Sequence, residues 1–493
     1  MYKIAIDKKV DKQFSKIKKK DKKQFEFIKK KVKQILENPH LGKPLKKPLD
    51  GFWRVHTKEP FVLIYLIKGN EIHLVKYGHH DNIYKKTIEM WLKMMVGIVG
   101  KPNTGKTTFF RAMTLMDVEA ANYPFTTIDA NKGIGFIRNN PCVDKELGVQ
   151  CNPRHGFCKE HIRFLPVDLI DVAGLVPGAS EGRGLGNKFL TDLNSADALI
   201  QVIDVSGSTD EEGKIVTAGS YDPALEIKFL LKEIEQWLFG IFKKNFNKIG
   251  QNQRLKKTKT STALLEYMYA TLGTKEEQLN EVLRNTNLKD KLIADWSNDE
   301  LLTFTKKIRS LSKPIVIAAN KLDMPTAKDN LERLKKEFPE TTIIGCSAES
   351  ESALKGADKA KIIDYLPGAN TFKIIKEDMS EKQKKALEFI QKNILDMYGS
   401  TGVQDILDNV VFKVLGYFCV YPGGTKKLED KDGNVLPDCF LMPPGSTALN
   451  FAFKLHTDFG KNFIKAIAVK TKMLLGKDHK LKNNDVIEIV AGK

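Results

Sequence analysis

Long apolar runs, a signal segment and a dense set of cysteines are all missing from this chain of 493 residues. No run of eighteen apolar residues occurs, which excludes a membrane-spanning helix and argues against a membrane partner. The amino terminus has no apolar segment followed by a cleavage site, so we expect a cytoplasmic location. Six cysteines are too few for a disulfide scaffold in so long a chain. The length predicts about three folded units.

Basic residues are distributed unevenly. Lysine and arginine number 80 against 61 aspartates and glutamates, a formal net charge of +19. Residues 1–93 hold 24 basic and 10 acidic residues, or +14, and the remaining 400 residues carry only +5. A strongly basic module favours a polyanion such as RNA, because neutralising phosphates releases counterions. A solvated, lysine-rich helix surface is the alternative.

The basic residues 1–93 have the pattern of an α+β module. Apolar residues recur at spacings of three and four among the lysines of residues 8–37, which predicts a pair of amphipathic helices. A helix over residues 83–92 would close the module. Three short strands are predicted between these helical regions, at residues 53–56, 61–67 and 71–77.

Three features of this module resemble the RelE/ParE family of toxins: two helices before a basic sheet, NPHLGKPL at residues 38–45 and GHHDNIY at residues 78–84. Many members cleave messenger RNA on the ribosome, and an antitoxin-like protein is a partner that the resemblance implies. Such cleavage needs a base, an acid and cations around the phosphate. The residues with suitable chemistry for an RNA site are Arg54, His56, His79, His80 and Tyr84.

Val62 departs from the toxin pattern, because an arginine often begins that strand. The resemblance therefore leaves three readings open for the module. The three alternatives are an active nuclease, a module that docks on RNA or the ribosome without cutting, and a vestige of the toxin fold.

A phosphate-binding motif follows the basic module. The apolar strand 96–99 leads into GKPNTGKT at residues 100–107, a full match to GxxxxGK[ST], and an apolar helix start follows. Backbone N–H groups of such a loop surround the phosphates, Lys106 reaches the β- and γ-phosphates, and Thr107 can bind Mg²⁺. The predicted nucleotide-binding residues of the loop are Gly100, Asn103, Thr104, Gly105, Lys106, Thr107 and Thr108.

Two segments after this loop match the switch motifs of a GTPase. YPFTT at residues 123–127 is typical of switch I, in which Thr127 would bind Mg²⁺ and the γ-phosphate. DVAG at residues 171–174 follows an apolar strand and places Asp171 near Mg²⁺ and Gly174 near the γ-phosphate. The expected catalytic residues are Lys106, Thr127 and Gly174. The expected Mg²⁺ ligands are Thr107, Thr127 and Asp171.

Two further segments have the pattern of a guanine-binding site. NKLD at residues 320–323 follows an apolar strand, and the Asp323 carboxylate can accept from N1 and N2 of guanine, which adenine cannot satisfy. CSA at residues 346–348 completes the base-binding loop. The predicted base-binding residues are Asn320, Lys321, Asp323, Ser347 and Ala348.

The residues around these motifs resemble the Obg-related GTPases, and among them the YchF/Obg-like group in its archaeal-type form. The resemblance covers about residues 95–493 and is carried by NYPF at 122–125, DVAGLVPGA at 171–179 and GRGLGNKF at 182–189. It implies a translation-associated GTPase that uses GTP and Mg²⁺ at the ribosome or on tRNA. Better-known YchF members have a non-standard base motif and prefer ATP. This sequence keeps NKxD, so we interpret it as a GTPase.

Leu175 follows the DxxG motif at a position where many GTPases have a glutamine that orients the attacking water. An apolar side chain cannot do this, and in hydrophobic-substituted GTPases K⁺, a flexible loop or a partner supplies the missing stabilisation. Asn103 matches the position that binds K⁺ in potassium-dependent relatives, and a plain polar residue of the loop is the alternative. We expect slow turnover by the isolated protein.

More than a hundred residues separate the apolar strands 199–205 and 314–319. Helical patterns at residues 225–246 and 261–283, joined by a basic link, predict an inserted helical hairpin. The hairpin is expected either to reach an RNA or protein surface or to serve as a purely structural arm.

A group of metal-binding residue types lies within twenty residues. It comprises Cys142, Cys151, His155, Cys158 and His161, separated by eight, three, two and two residues. The spacing is irregular, so a zinc site and a loop with free thiols both remain open.

From about residue 416 the pattern changes to short strands and turns and resembles a TGS domain, a ubiquitin-like β-grasp module found on RNA- and ribosome-linked enzymes. A protein-interaction domain is the alternative. The predicted fold class is therefore α/β, a P-loop G domain with a helical insertion and flanking modules. The predicted boundaries are 1–93, 94–224, 225–310, 311–415 and 416–493. A toxin-type ribonuclease controlled by a nucleotide-binding domain, and a nucleotide-gated scaffold, are the alternative functions.

Overall fold

The computed structural model describes residues 2–6, 8–44, 52–58, 60–68, 71–79, 94–114, 131–172, 193, 195–376 and 378–492. Mixed α/β structure extends through these ranges, and the predicted fold class is confirmed. None of their helices combines the length and apolar character needed to cross a membrane. The predicted helix 83–92 lies outside the described residues.

In its described residues, the amino-terminal module is a five-stranded sheet with two helices. Its elements are β1 (Lys3–Ile6), α1 (Lys8–Lys20), α2 (Lys22–Glu37), β2 (Lys43–Pro44), β3 (Phe52–Lys58), β4 (Phe61–Lys68) and β5 (Glu71–His79). The strand order is β1-β5-β4-β3-β2, with β1 parallel to β5 and the other pairs antiparallel. Asp21 separates the helices and caps α2 by accepting from the Gln24 N–H at 2.9 Å. The predicted helix pair and three strands are confirmed, and β1 and β2 are additions to them.

The two faces of this sheet pack differently. The first face lies against α1 and α2 through an apolar core that includes Phe14, Ile35 and Leu63. The second face buries Phe52, Val62 and Ile64, which cluster with Phe453 near the carboxyl end of the chain. Val62, the departure from the toxin pattern, is thus a core residue between the module and the rest of the protein.

The first part of the G domain supplies most of a parallel sheet. Its elements are β6 (Met95–Val99), α3 (Lys106–Thr114), β7 (Lys132–Asn139), α4 (Val143–Leu147), β8 (Phe157–Lys159), β9 (Ile162–Asp171) and β10 (Ala198–Asp204). All seven residues of β10 are buried, as expected for a strand covered on both faces.

Four helices form the insertion after β10. They are α5 (Ala224–Lys256), α6 (Thr260–Leu272), α7 (Glu276–Asn285) and α8 (Asn298–Ser312). The predicted hairpin was too simple, because α5 continues ten residues further than expected and the second pattern is broken at Gly273, whose φ is +68°. The aromatic residues Phe242, Phe246 and Phe304 share the core of the insertion.

Gly250 lets α5 approach the following segment closely. A Cβ at this position would lie 2.8 Å from the backbone nitrogen of Ala294. Ala294 belongs to the short helical turn Ile293–Asp295, which packs against α5. Two glycines inside α5 therefore do not end the helix, and one of them is needed for its packing.

The second part of the G domain completes the sheet. It adds β11 (Ile315–Asn320), α9 (Ala327–Glu337), β12 (Ile343–Gly345), α10 (Ala348–Lys359), β13 (Ile363–Tyr365) and β14 (Phe372–Ile374). The main strand order is β12-β11-β10-β6-β9-β7, in which only β7 runs antiparallel, and β8 pairs with β9 outside this path. The carboxyl ends of β6, β9, β10 and β11 consequently meet at one edge.

The remaining elements lead into a second small sheet. They are α11 (Glu381–Ile390), α12 (Asp396–Tyr398), α13 (Val403–Asp408), β15 (Phe418–Pro422), β16 (Phe440–Met442), α14 (Ala448–Leu455), α15 (Thr457–Lys461), β17 (Phe463–Ala468), β18 (Leu474–Leu475) and β19 (Asp485–Ala491). The strands have the order β16-β15-β19-β17-β18, and the sheet that they form packs against α14. Thr447 caps α14 with a reciprocal Asn450 contact.

Candidate nucleotide-binding site

The phosphate loop connects β6 to α3 and depends on two glycines. A Cβ at Gly100 would lie 2.6 Å from the carbonyl oxygen of Val202, so the loop crosses β10 too closely for any side chain. Gly105 has a φ of +86°, and a Cβ there would collide with the Asn320 amide. The motif is therefore held against both β10 and the strand that ends at Asn320.

Lys106 and Asp171 meet at the carboxyl ends of neighbouring strands. Ile98 in β6 pairs with Asp171 in β9, and Lys106 begins the helix that follows β6. Lys106 Nζ forms an ion pair with the Asp171 carboxylate and lies 3.4 Å from the Val172 carbonyl oxygen. Thr107 and Thr108 follow in the first turn of α3, with Thr107 exposed. The predicted Thr127, Gly174 and Leu175 lie outside the described residues.

Asn320 joins the phosphate loop to the base-binding loop. Its Nδ2 donates to the Thr104 carbonyl at 2.9 Å, and its Oδ1 accepts from the Ala348 N–H at 3.0 Å. Asn320 is 3% exposed, so both contacts are shielded from water. A buried amide with its donor and acceptor both in use fixes the separation of the two loops.

Asp323 is oriented by Ser347. Ser347 Oγ donates to Asp323 Oδ1 at 2.7 Å and accepts from the Ser350 N–H at the start of α10. Asp323 is half-buried, and this hydrogen bond engages one of its two carboxylate oxygens. This arrangement brings together the carboxylate and the loop that the sequence predicted for guanine recognition.

Lys321 is held by a buried aspartate that sequence reasoning missed. Its Nζ lies 2.9 Å from Oδ2 of Asp204, the last residue of β10. Burial alone would raise the pKa of Asp204, but hydrogen bonds from its neighbours lower the pKa below its ordinary value. The donors to this carboxylate are Ser206, Thr209, Lys321 and Ser208. The available signal was an aspartate that ends an apolar strand and precedes the hydroxyl-rich SGST.

Residues 206–221 form a loop that covers the phosphate loop. Asn103 has a φ of +62°, and its Nδ2 donates to the Gly213 carbonyl at 2.8 Å. Lys101 Nζ donates to the carbonyls of Thr209 and Asp210 and lies 4.1 Å from the centre of the Tyr221 ring. The side chains of Asn103 and Lys101 thus tie the phosphate loop to its cover.

Lys101 also binds Glu226 in the first turn of α5. The Nζ and Oε1 atoms are 3.0 Å apart, and the carboxylate is 4% exposed. Burial, opposed by the Lys101 charge, raises the pKa of Glu226 to about 8. A direct contact therefore links the phosphate loop to the helical insertion.

The raised pKa of Glu226 predicts a specific pH dependence of stability. The unfolded carboxyl loses its proton near pH 4.5, whereas the folded one keeps it up to about pH 8. Folding takes up a proton between these values, so the free energy of unfolding falls as pH rises through this window, by roughly 1.4 kcal/mol per pH unit at most. We expect Glu226→Gln to show a smaller fall in melting temperature over the window, measured by circular dichroism.

Glu332→Gln is the matched control, because it makes the same substitution at an exposed position in α9. Its melting temperatures should follow those of the unaltered protein at every pH. Parallel pH profiles for the unaltered protein and Glu226→Gln would show that Glu226 is ionised throughout the window, contrary to the expectation.

The residues predicted for an RNA site are not brought together on one face of the amino-terminal sheet. Arg54 and His56 pair with Ile64 and Val62 on the second face, the one that clusters with Phe453. His79 pairs with Phe61 on the helix-covered face and contacts its ring edge-on. Because side chains alternate along a strand, the imidazoles of His56 and His79 point to opposite sides. His80 and Tyr84 lie outside the described residues.

Four family models match the chain. The Obg-like GTPase YGR210-like, G4 motif-containing domain matches residues 318–424, and the 50S ribosome-binding GTPase model matches residues 95–236. The TGS domain matches residues 429–491. The ParE toxin of the type II toxin-antitoxin system matches residues 4–84.

Three similar proteins show how far these matches extend. An uncharacterized GTP-binding protein of Methanocaldococcus jannaschii is 48% identical over 399 residues, covering 80% of this chain and 99% of its own. The ribosome-binding ATPase YchF of Mycoplasma genitalium is 27% identical over 383 residues, covering 77% of this chain and 90% of its own. The crystal structure of a GTP-binding protein from Pyrococcus horikoshii is 36% identical with a TM-score of 0.64, covering 81% of this chain and 100% of that one.

Proposed function

This chain belongs to the YchF/Obg-like family of P-loop GTP-binding proteins, and from that premise we propose that it hydrolyses GTP with Mg²⁺ and acts at the ribosome or on tRNA. The observation that supports GTP as the substrate is the position of the Asp323 carboxylate, which accepts a hydrogen bond from Ser347. Asn320, which connects the phosphate loop to the base-binding loop, contacts the neighbouring Ala348. A carboxylate accepts from the two N–H donors of guanine, whereas adenine presents an acceptor at N1.

The residues at the strand ends fit a nucleotide with Mg²⁺. The Asp171 carboxylate and the Thr107 hydroxyl are oxygen ligands, which Mg²⁺ prefers, and Thr127 is the third proposed ligand. The ion would neutralise charge that develops on the phosphates. Lys106 is paired with Asp171 here, and phosphates offer it a stronger anionic partner. We therefore propose that Lys106 leaves Asp171 when GTP binds, which frees the carboxylate as a metal ligand.

Potassium is a further proposed cofactor of the same site. Asn103 lies in the phosphate loop, and its Nδ2 is occupied by the Gly213 carbonyl, which leaves the amide oxygen as the atom that could face a cation. Because K⁺ would supply positive charge that Leu175 cannot, replacing K⁺ by Na⁺ should slow GTP turnover. Equal rates in the two salts would remove K⁺ from the proposal.

Ribosome co-sedimentation in three nucleotide states tests the proposed function. The protein is spun with ribosomes in the presence of GDP, a non-hydrolysable GTP analogue or no nucleotide, and GTP turnover is measured alone and with ribosomes. We expect the bound fraction to depend on the nucleotide and turnover to rise with ribosomes. Turnover without any nucleotide-dependent binding would support a GTPase that acts elsewhere, and binding without turnover would support the nucleotide-gated scaffold.

For the amino-terminal module we propose docking on RNA or the ribosome rather than cleavage. The separation of His56 from His79 by the sheet supports this choice, because a base and an acid must both reach one phosphate. The match to the ParE model makes an antitoxin-like protein a second proposed partner. RNA cleavage remains the second candidate function, and cutting of ribosome-bound message that is lost in His56→Ala would establish it.

The salt dependence of RNA binding should depend on the lysines of α2. Lys22, Lys23, Lys29 and Lys30 are exposed on this helix. Each phosphate that they neutralise steepens the fall of log K with log salt by roughly 0.7–0.9. Changing all four to glutamine should therefore flatten the slope by up to about 3.6, measured by fluorescence anisotropy, with GTP affinity unchanged.

A matched variant separates this local effect from net charge. Lys335, Lys336, Lys382 and Lys385 are exposed on α9 and α11, and changing them to glutamine removes the same formal charge. It should leave the slope nearly unchanged. Equal slopes for the two variants would mean that the lysines of α2 form a solvated surface and do not bind phosphates.

A further inference from the structure

Four side chains with metal-binding atoms converge in the segment between β7 and β9. Cys142 precedes α4, Asp144 lies in the first turn of that helix, Cys151 follows it and Cys158 belongs to β8. Their three sulfurs and one carboxylate oxygen all lie within 4.8 Å of one another. Cys142, Asp144 and Cys151 are buried and Cys158 is half-buried. The cluster is separate from the nucleotide-binding residues at the ends of β6, β9 and β11.

The separations fit a tetrahedral zinc site. With Zn–S bonds of about 2.3 Å and a Zn–O bond of about 2.0 Å, a tetrahedron has S···S edges of about 3.8 Å and S···O edges of about 3.5 Å. The sulfurs of Cys142 and Cys151 are 3.8 Å apart. Cys158 Sγ lies 3.4 Å from Asp144 Oδ2. Both distances therefore match edges of the polyhedron.

We propose that Cys142, Cys151, Cys158 and Asp144 bind one Zn²⁺ ion. This ligand set differs from the cysteines and histidines in the sequence pattern. His161 Nδ1 lies 3.1 Å from Asp144 Oδ1, so this histidine orients the carboxylate from outside the cluster. Asp144 was missed because an aspartate between two cysteines is not part of the usual zinc spacings.

The surroundings of the cluster suit a metal bound by thiolates. The Tyr421 hydroxyl lies 3.4 Å from Cys142 Sγ, and the Cys151 N–H donates to Asp144 Oδ2 at 3.2 Å. Arg163 lies beside Cys151 and is 1% exposed. Three thiolates and a carboxylate leave a net charge of −2 on the zinc complex, which the buried guanidinium partly offsets.

The proposed ion would join the G domain to the carboxyl-terminal domain. Arg163 donates to the carbonyls of Leu436 and Pro437 at 2.8 and 2.9 Å. The segment between the ligands also contacts this domain, because Arg154 forms ion pairs with Asp430 and Asp438. A metal bound by these residues would therefore stabilise the segment of the G domain that contacts the carboxyl-terminal domain.

Metal analysis of the full-length protein tests the proposal. The protein is purified under reducing conditions without chelator, and zinc is measured by inductively coupled plasma mass spectrometry. We expect about one zinc per chain, and less than about a fifth of that in Cys142→Ser and Cys151→Ser. Cys346→Ser is the matched control, because Cys346 is equally buried but follows β12, and it should keep its zinc.

Two further variants test the ligand set. Asp144→Ala should weaken zinc binding at least about tenfold in competition with a chromogenic chelator, whereas His155→Ala should leave the affinity unchanged. The opposite result, with His155 required and Asp144 dispensable, would overturn the assignment of Asp144 as a ligand.

A measurement on the unaltered chain covers the case in which the cysteine variants do not fold. After removal of metal, Co²⁺ should give the intense visible bands of a tetrahedral site and the near-ultraviolet absorption of cobalt–thiolate bonds. Failure of the reduced chain to bind either Zn²⁺ or Co²⁺, iron in place of zinc, or a Cys142–Cys151 disulfide in the native protein would each overturn the proposal.

Discussion

Changing Lys106 to alanine should reduce the rate of GTP hydrolysis by at least about a hundredfold. Removing one preorganised group that stabilises the negative charge developing on the phosphates lowers the rate by about 10²–10³. Lys106 opens the helix behind the phosphate loop and is paired with Asp171 at the adjacent strand end. Single-turnover hydrolysis of radiolabelled GTP measures the effect independently of product release.

Lys214→Ala provides the control for this substitution. Lys214 belongs to the loop that covers the site, but its side chain is 72% exposed and pairs only with the exposed Glu212 among the described contacts. The variant removes the same charge and should hydrolyse GTP at the rate of the unaltered protein. If Lys106→Ala retained more than about a third of the rate with an unchanged melting temperature, the phosphate-binding role of Lys106 would be contradicted.

Changing Asp323 to asparagine should convert a preference for GTP into one for xanthosine triphosphate. A charge-assisted hydrogen bond contributes about 1.5–3 kcal/mol, so GTP affinity should fall roughly 10- to 150-fold. Xanthine has a carbonyl where guanine has its amino group, and the new amide can donate to that carbonyl. Titration with fluorescent analogues of both nucleotides measures the two affinities and hence the change in preference.

Two comparisons refine this expectation. Asp329→Asn makes the same change at an exposed position in the first turn of α9 and should leave both affinities unchanged. Ser347→Ala should weaken GTP binding by a smaller factor, because it removes only the hydroxyl that orients the Asp323 carboxylate. Equal affinity of the unaltered protein for ATP and GTP would contradict the assignment of the base site.

The family and the fold class were accessible from the sequence because short motifs follow apolar strands. Asp171 and Asn320 end such strands, and Lys106 and Ser347 come shortly after them. Parallel strands bring these ends to one edge. The predicted family is confirmed by a relative at 48% identity. The contacts that organise the site were not accessible in this way, since Asn320 and Thr104 are 216 residues apart.

Other differences between the predicted and the observed structure come from tertiary contacts, which local sequence patterns do not reveal. Helix α5 passes through Gly240 and Gly250 without ending, because neighbouring helices cover it and Ala294 approaches the second glycine. Strand β1 is only four residues long and is recognisable only by its pairing with β5. The contact of Lys101 with Glu226 likewise depends on where α5 starts relative to the phosphate loop.

The 33 residues of α5 make the helix about 50 Å long at 1.5 Å per residue. Its first turn is fastened to the phosphate loop by Lys101 and to β10 by Gln201, which donates to the Glu226 carbonyl at 2.8 Å. A rod of this length amplifies a rotation, because a tilt of about 5° displaces the far end by about 4 Å. A small rotation at the phosphate loop would therefore be largest at Lys256 and Lys257, at the opposite end of the helix.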